Sequence, residues 1–270
     1  MDKEKDTIVI KYGGNAMVND SLKQAILAKV ADLHNAGHRI VIVHGGGPFI
    51  NAMLDKVEIQ SEFIGGHRKT TPEAMKYIEM ALKGEVNTSL VGQMNALGTK
   101  AVGLSGKDGG MITVKKRFHY EEERQIDLGQ VADVASVQPE ILIDLLDKKY
   151  VPIVACVSAD KAGASFNINA DMMAGAIAGA LQADYLVLTD VDGIRRDKDD
   201  PDSLIDQISL QQIPEMMKNM IVGGMIPKIE SCQIAIEGGS KRARIINGTK
   251  PEQLIEAINT RNQIGTTITK

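Results

Sequence analysis

Two glycine runs, each directly after an apolar strand pattern, are the segments of this sequence best suited to phosphate chemistry. Residues 11–14 (KYGG) follow a β-branched run at 8–10, and residues 44–48 (HGGGP) follow another at 40–43. Glycine at the end of a strand lets the backbone approach a ligand closely, and its N–H groups can face an anion. Both runs could be tight strand-to-helix turns, but the lysine at position 11 favours a phosphate site.

Three charged residues elsewhere could take part in the same chemistry. Lys228 follows two glycines at a predicted helix start, where a cation opposes the helix dipole and an anionic ligand would explain it. Asp171 also stands at a predicted helix start, where its alternative role is that of an N-cap. Arg68 lies in a glycine-flanked loop. Its planar guanidinium suits a carboxylate, and the alternative is an ordinary surface cation.

The phosphate site cannot be one of the common motif-built types. The sequence contains neither the GxxxxGK[ST] loop nor GxGxxG, and it lacks the protein-kinase motifs. His44 is the only candidate for a general base near the glycine runs, and a single histidine beside a loop is more often structural. A carboxylate acceptor needs no base, because it is already ionised at pH 7.

Composition excludes several classes of partner. Aromatic residues make up only 3% of the 270 residues, which argues against stacking platforms for single-stranded nucleic acid. The net charge of −4 leaves no general basic surface for nucleic acid. The charged N-terminus does not fit a signal peptide, and the longest apolar stretch, at 172–181, is too short to span a bilayer. Cys156 and Cys232 lie in apolar segments and are expected to be reduced core residues of a cytoplasmic protein.

The order of elements predicts an α/β protein. Strand and helix patterns alternate along most of the chain, which is typical of a sheet with helices on both faces. Beyond the two strands already mentioned, strands are predicted at 100–104, 150–158, 184–189, 242–246 and 266–269. Helices are predicted at 21–35, 71–94, 138–148, 171–181, 208–220, 228–237 and 251–259. Residues 113–135 interrupt the alternation and are predicted to form a β-hairpin.

Taken together and in order, the motifs resemble the amino acid kinase family. They are IKYGGNAM, VIVHGGGP, the GxRxT pattern around Arg68, GEVN, AVGLSGKDG, NxNAD, LTDVDGI and GGMIPK. The resemblance implies a three-layer αβα sandwich around a mainly parallel sheet. It also implies an N-terminal lobe at residues 1–180 for acyl-substrate binding and dimerisation, and a C-terminal lobe at 181–270 for ATP.

The same resemblance implies roles for individual residues, transferred position by position. The expected catalytic residues are Lys11, Lys228 and Asp171, with the aspartate orienting both lysines. The expected substrate-binding residues are Gly46, Gly47, Arg68 and Asn167. The residues expected to bind phosphate or nucleotide are Gly13, Gly14, Asp190, Val191, Asp192, Gly193, Ile194, Arg195, Met220, Ile221 and Val222. No residue is expected to be a dedicated metal ligand.

Within the family, the motif set is most similar to the branch that phosphorylates the γ-carboxylate of N-acetyl-L-glutamate with ATP and Mg²⁺, the second step of arginine biosynthesis. A cytoplasmic homodimer without nucleic-acid or membrane partners is expected. The short segment before Lys11 leads us to expect no inhibition by arginine. The alternatives are a sister kinase for an aminoadipate derivative and a non-catalytic nucleotide-binding regulator. Residues 65–69 (GGHRK) are more polar around the arginine than is usual in the family.

Overall fold

Strands and helices alternate through most of the computed structural model, which describes residues 6–122, 124–197, 199–258 and 263–270. Its strands are β1 Thr7–Tyr12, β2 Arg39–His44, β3 Glu62–Ile64, β4 His67–Lys69, β5 Ala101–Ser105, β6 Ile112–Glu121, β7 Arg124–Val137, β8 Val151–Ala155, β9 Val157–Ala159, β10 Ser165–Ile168, β11 Asp184–Thr189, β12 Gln207–Ser209, β13 Ala243–Asn247 and β14 Thr266–Thr269. Its α-helices are α1 Asp20–Asn35, α2 Gly47–Lys56, α3 Pro72–Glu79, α4 Thr88–Ala96, α5 Glu140–Asp147, α6 Ala170–Ala180, α7 Ile213–Asn219, α8 Ile226–Glu237 and α9 Gln253–Ile258.

Eight strands form the central sheet, in the order β12-β14-β13-β11-β1-β2-β8-β5. The pairing of β13 with β14 is antiparallel, and the other neighbouring pairs are parallel. The central strands are buried on both faces. On β1 and β2, alternate residues belong to two separate hydrophobic clusters, with Val9 and Val41 in one and Ile8 and Ile40 in the other. This arrangement confirms the predicted layered α/β fold with a mainly parallel sheet.

A smaller β-structure lies beside the central sheet. Strands β6 and β7 form the long hairpin predicted at 113–135, and they close into a small barrel with β9 and β10. The short hairpin of β3 and β4 contacts β7 through an isolated bridge between Thr70 and Gly129. The residues that follow β10 begin α6, so this barrel also places the start of α6.

Helices α6 and α8 pack against each other at close range through small residues. A Cβ added to Gly175 would overlap the carbonyl oxygen of Ser231, and one added to Gly179 would lie 2.9 Å from the Cα of Gly238. Glycine at these positions therefore lets the two helix backbones touch. The contact brings together one helix from each of the two predicted lobes.

Some predicted elements differ in the structure. The strand predicted at 150–158 is divided at Cys156 into β8 and β9, which belong to different sheets. The helix predicted at 208–220 starts only at residue 213, because 207–209 form β12. The helix predicted at 71–94 is continuous, but its middle, Met80–Asn87, is a π-helix between α3 and α4. The end predicted for the last helix, Asn259, lies outside the described residues.

Cys156 and Cys232 are buried free cysteines, as predicted. Among the described helices, none combines the length and apolar character needed to cross a membrane. The division into an acyl-substrate lobe and an ATP lobe stays a prediction.

Candidate active site

A cavity of about 450 Å³ opens at the carboxyl ends of β1 and β11. These two strands are neighbours in the sheet, but the chain leaves β1 toward β2 on the other side, so the cavity lies at a topological switch point, where open α/β sheets bind ligands. The lining residues are Lys11, Gly13, Gly14, Ala16, Leu188, Thr189, Asp190, Val191, Gly224, Met225, Lys228 and Thr249. The structure therefore brings together, around one cavity, both predicted lysines, the first glycine run and part of the predicted nucleotide segment.

Lys11 is paired with Asp171 at this cavity. The Lys11 Nζ lies 3.1 Å from the Asp171 Oδ1, and both side chains are about nine-tenths buried. Asp171 is not the helix cap: the N-cap of α6 is Asn169, whose side chain accepts hydrogen bonds from the backbone N–H groups of residues 171 and 172. The alternative role of Asp171 as an N-cap is therefore wrong, and its carboxylate is free to hold the lysine.

Lys228 enters the cavity from α8, and its Nζ donates a hydrogen bond of 2.9 Å to the carbonyl oxygen of Gly224. Burial lowers the pKa of Lys228, the nearby charge of Asp171 raises it, and that of Lys11 lowers it again. Asp171 forms no ion pair with Lys228 within the described part of the chain. Asp171 thus contacts Lys11 directly and influences Lys228 only at longer range, and its role in orienting both lysines stays a prediction.

A second, smaller cavity of about 160 Å³ shares Val191 and Met225 with the first. Its other lining residues are Gly193, Ile194, Arg195, Met220, Ile221 and Val222. All six were predicted to bind nucleotide. The mostly apolar lining suits a flat ring, and the neighbouring cavity with its two lysines suits phosphates.

Asp192 is placed differently from its neighbours, because it lines neither cavity. Its Oδ1 accepts hydrogen bonds of 2.8 Å from Asn247 Nδ2 and 2.6 Å from Lys250 Nζ, and these contacts lower its pKa. Asn247 in turn accepts a hydrogen bond from the hydroxyl of Thr249, which does line the larger cavity. Asp192 thus connects the loop after β11 to the loop after β13. The expectation that Asp192 binds nucleotide stays a prediction, and in this structure its side chain faces Asn247 and Lys250.

The second glycine run lies beside the start of α6. A Cβ on Gly45 would lie 3.3 Å from the Cβ of Ala170, and the backbone N–H of Gly45 donates to the carbonyl of Tyr12, next to the first glycine run. Gly46 is the N-cap position of α2, and no side-chain hydrogen bond caps this helix. Uncapped N–H groups at a helix start favour an anion. The two glycine runs are therefore adjacent, as a shared phosphoryl and substrate site requires.

His44 does not have the properties of a general base. It is fully buried, its Nδ1 lies 2.8 Å from the carbonyl oxygen of Gly45, and its Nε2 lies 3.0 Å from the Nδ2 of Asn87. Because that amide nitrogen can only donate, the Nε2 accepts and the Nδ1 carries the proton. Burial lowers the pKa of His44 to about 4. The ring is therefore neutral at pH 7, and both of its nitrogens are occupied.

Arg68 and Asn167 lie outside the two cavities just described. Arg68 is buried on β4, and its guanidinium donates to Asn51 on α2, the helix that begins with the second glycine run. Asn167 is half-buried on β10, four residues before Asp171, and its strand leads into α6. Arg68 thus contacts the helix that begins at the second glycine run, and the strand of Asn167 leads into the helix that carries Asp171.

Sequence reasoning missed several residues of the site. Thr249 lines the phosphate cavity, and Gly224 and Met225 form part of its wall. Thr249 follows a predicted parallel strand, so its position at the same sheet edge as residues 11–14 was a usable signal. No comparable signal marked Asn51, which lies inside an ordinary amphipathic helix.

Comparison with known proteins gives concordant results. The model of the amino acid kinase family matches residues 6–247. The acetylglutamate kinase of Heliobacterium modesticaldum is 44% identical over 98% of this chain and 92% of its own length. That of Moorella thermoacetica is 45% identical over 97% and 90%. Among solved structures, the N-acetylglutamate synthase of Neisseria gonorrhoeae, 23% identical, shares the fold with a TM-score of 0.83 over 98% of this chain. The match spans 59% of the synthase chain.

Proposed function

The chain belongs to the amino acid kinase family, and we propose that it transfers the γ-phosphoryl group of ATP to the γ-carboxylate of N-acetyl-L-glutamate. The products are an acyl phosphate and ADP, and the reaction is the second step of arginine biosynthesis. The observation that carries this proposal is the pairing of Lys11 with Asp171 in a cavity that Lys228 lines as well. The names and high identity of the curated relatives support the substrate.

The proposed chemistry needs alignment and charge neutralisation rather than proton removal. Phosphoryl transfer passes through a loose transition state with charge spread over the transferred oxygens, which positioned cations and N–H groups stabilise. Lys11 and Lys228 would stabilise this charge, and the backbone N–H groups of Gly13, Gly14, Gly46 and Gly47 would hold phosphate and substrate. The acceptor carboxylate is ionised without a base, which agrees with a buried, neutral His44.

Asp171 would act on Lys11 rather than on substrate. Its contact with the Lys11 Nζ holds the ammonium group in place at the cavity, so that the charge is positioned before the phosphoryl group moves. The nucleotide base would lie in the smaller apolar cavity at 191–195 and 220–222, and its phosphates would extend toward the lysines.

The residues present fit Mg²⁺ that arrives with the nucleotide. Mg²⁺ in kinases is usually bound through one or two carboxylates together with substrate phosphates and water. In the described residues no group of three metal-binding side chains occurs, and the cavity offers the single carboxylate of Asp190. Asp190 would therefore be its contact, and the ion would neutralise phosphate charge.

We further propose a homodimer located in the cytoplasm, with residues 1–180 binding the acyl substrate and residues 181–270 binding ATP. The family resemblance supports these assignments. Within the described residues β5 pairs only with β8, so its other edge offers a surface to a second copy. Light scattering coupled to gel filtration measures the oligomeric state.

The experiment that tests the reaction is an ADP-release assay with a panel of acceptors. The panel contains N-acetyl-L-glutamate, N-acetyl-L-aspartate, L-glutamate, N-acetyl-L-aminoadipate and carbamate, and hydroxylamine traps acyl phosphates as hydroxamates. We expect ADP release and hydroxamate with N-acetyl-L-glutamate at the highest kcat/KM. A preference for the aminoadipate derivative would support the sister kinase instead. ATP binding without turnover on any acceptor would support the non-catalytic regulator.

A further inference from the structure

Arg68 is a buried cation that has no ionic partner among the described residues. The residue is 8% exposed, and no carboxylate of the described residues lies within 4.0 Å of its guanidinium. Burial lowers its pKa, and Asp55 opposes this shift only from a distance. Buried charges in proteins are ordinarily paired, because an unpaired charge is costly to remove from water. The positive charge of Arg68 is therefore largely uncompensated.

The groups that hold the Arg68 guanidinium are all neutral. Its Nη1 donates to the hydroxyl of Ser61, and its Nη2 donates to the amide oxygen of Asn51 at 2.5 Å. The ring of Phe63 packs on the guanidinium, with its centroid 4.6 Å from the Arg68 Cζ. These contacts use two of the five N–H donors, and they fix the plane of the group without neutralising it.

We propose that Asn51, Ser61 and Phe63 are positioning residues that form a neutral cradle for Arg68, which fixes the plane of the guanidinium and leaves its charge unpaired. This inference rests on the proposed function, in which Arg68 binds a carboxylate of the substrate, and it adds the residues that orient Arg68 for that contact. An acidic residue in the cradle would satisfy the guanidinium permanently and compete with substrate. Neutral partners fix its orientation and leave its charge for the ligand.

Asn51 connects the cradle to α2, the helix that begins at the second glycine run. Asn51 is the fifth residue of α2, and helical side chains lean toward the helix N-terminus. Asn51 lies four positions after Gly47, or about 6 Å along the helix axis, so the contact with Asn51 connects Arg68 to the first turns of α2. A dicarboxylate with its reacting end at the glycine runs would place its other end within reach of Arg68.

The hairpin that carries Arg68 is braced from two sides. Lys69 and Glu62 form an ion pair of 2.9 Å across β3 and β4, and the ring of His119 lies directly against Gly65 in the turn. The backbone N–H of Thr70 donates to the carbonyl of Leu128 on β7 at 2.9 Å. Lys69, one of the polar residues beside Arg68 that depart from the family pattern, thus helps to hold the hairpin that presents it.

The decisive test is Asn51→Asp, which keeps the size and the hydrogen-bond acceptor but adds a negative charge. Because the new carboxylate pairs with Arg68, we expect KM for N-acetyl-L-glutamate to rise by at least about tenfold. KM for ATP should change less than about twofold, and the melting temperature should stay equal or increase. A merely structural role of Asn51 predicts no such combination of retained stability and lost affinity.

Phe63 offers an independent readout. Phe63→Leu should raise KM for N-acetyl-L-glutamate by about three- to fivefold through loss of the cation–π contact, and Phe63→Tyr should restore it. Tyr120→Leu is the matched control, because Tyr120 is an equally exposed aromatic residue that does not pack on Arg68. It should leave both KM values unchanged.

A double-mutant cycle shows whether Asn51 acts through Arg68. In an Arg68→Lys background, Asn51→Asp should change KM for N-acetyl-L-glutamate much less than it does in the wild-type background. Three results would overturn the proposed role of the cradle. They are an equal effect of Asn51→Asp in both backgrounds, an unchanged KM for N-acetyl-L-glutamate in Asn51→Asp, and an equal rise in KM for ATP. Failure of the proposed function is distinguishable, since the wild-type protein would then release no ADP with N-acetyl-L-glutamate.

Discussion

Lys11 and Asp171 meet at the carboxyl edge of the central sheet, although 160 positions separate them in the sequence. One lies near the end of β1 and the other in the first turn of α6, with 3.1 Å between the Nζ and the Oδ1. Neither residue caps a helix. The pair is thus best explained by the chemistry of the cavity that Lys11 lines, and the following predictions start from it.

Asp171→Asn should lower kcat by about 10²-fold, because the Lys11 ammonium loses the charge that positions it. Helix α6 should persist, since its cap is Asn169. Steady-state kinetics and circular dichroism measure the two effects. Asn169→Ala is the comparison: it should lower the free energy of unfolding by about 1 kcal/mol through loss of the cap. Unchanged kcat in Asp171→Asn would remove the positioning role.

Lys228→Ala should reduce kcat by about 10²–10³-fold and change the two KM values much less, because its charge is needed most in the transition state. Lys218→Ala is a suitable control, since Lys218 on α7 is exposed and its ion pair with Glu215 is at the surface. Near-normal turnover of purified Lys228→Ala protein would contradict the assignment.

Arg68→Lys should raise KM for N-acetyl-L-glutamate by about ten- to a hundredfold and hardly change KM for ATP. Lysine keeps the charge but loses the planar fork that binds a carboxylate through two hydrogen bonds. Both constants are measured in the ADP-release assay. An equal effect on ATP would show that Arg68 is not the carboxylate-binding residue.

Gly13→Ala should lower kcat without unfolding the protein. The new Cβ would lie 3.2 Å from the Lys11 Nζ, so the ammonium must shift by a few tenths of an ångström. Gly92→Ala, at an exposed position in α4 with nothing within 4 Å, should leave kcat unchanged and stabilise the helix by up to about 1 kcal/mol. Identical kinetics of Gly13→Ala and wild type would show that the lysine has freedom to move.

The free energy of unfolding should fall as the pH is lowered from about 6.5 to about 4. His44 has a pKa of about 4 in the folded protein, below its ordinary value of 6.5, so in this range the unfolded chain binds the extra proton. Each pKa unit corresponds to about 1.4 kcal/mol, and His44 alone should contribute about 3 kcal/mol of this loss. Urea unfolding at several pH values measures it.

His44→Gln is the control for this pH dependence, because glutamine does not titrate. The variant should lose most of the slope between pH 4 and 6.5, whatever its stability at pH 7. Half-buried His67 also has a lowered pKa, and it should account for part of the pH dependence of stability that remains in the variant. A variant with the full wild-type slope would assign the effect to other groups.

The main strands could be predicted because burial on both faces requires continuous apolar runs. The run at 184–189 became β11 with the same bounds. The failures arise where a distant partner decides the structure. Residues 207–209 pair with β14, more than fifty positions away, and no local periodicity reports such a pairing. Likewise, the strand at 150–158 divides where the carbonyl of Cys156 accepts the N–H of Ile168 from β10.

The position of Lys228 in the cavity wall was predictable, because a lysine at a helix start opposes the helix dipole and suggests an anionic ligand. The cap of α6 was less predictable, because an asparagine and an aspartate two residues apart compete for the same place. Asn169 and Asp171 both fit an N-cap, and only the backbone conformation shows that Asn169 takes that place. Asp192 belongs to a motif whose neighbours line a cavity, but its side chain faces Asn247 and Lys250. The direction of the Asp192 side chain depends on contacts with the loop after β13, and the local sequence around Asp192 does not reveal these contacts.

The close packing of α6 on α8 has a mechanical consequence for catalysis. Asp171 lies at the start of one helix and Lys228 at the start of the other, and the backbone contacts at Gly175 and Gly179 leave no room for sliding between them. We therefore expect the two helices to move together, because sliding would force their backbones to overlap. On this expectation, the spacing between the start of α6 and the start of α8 is established when the chain folds and stays the same through a catalytic cycle.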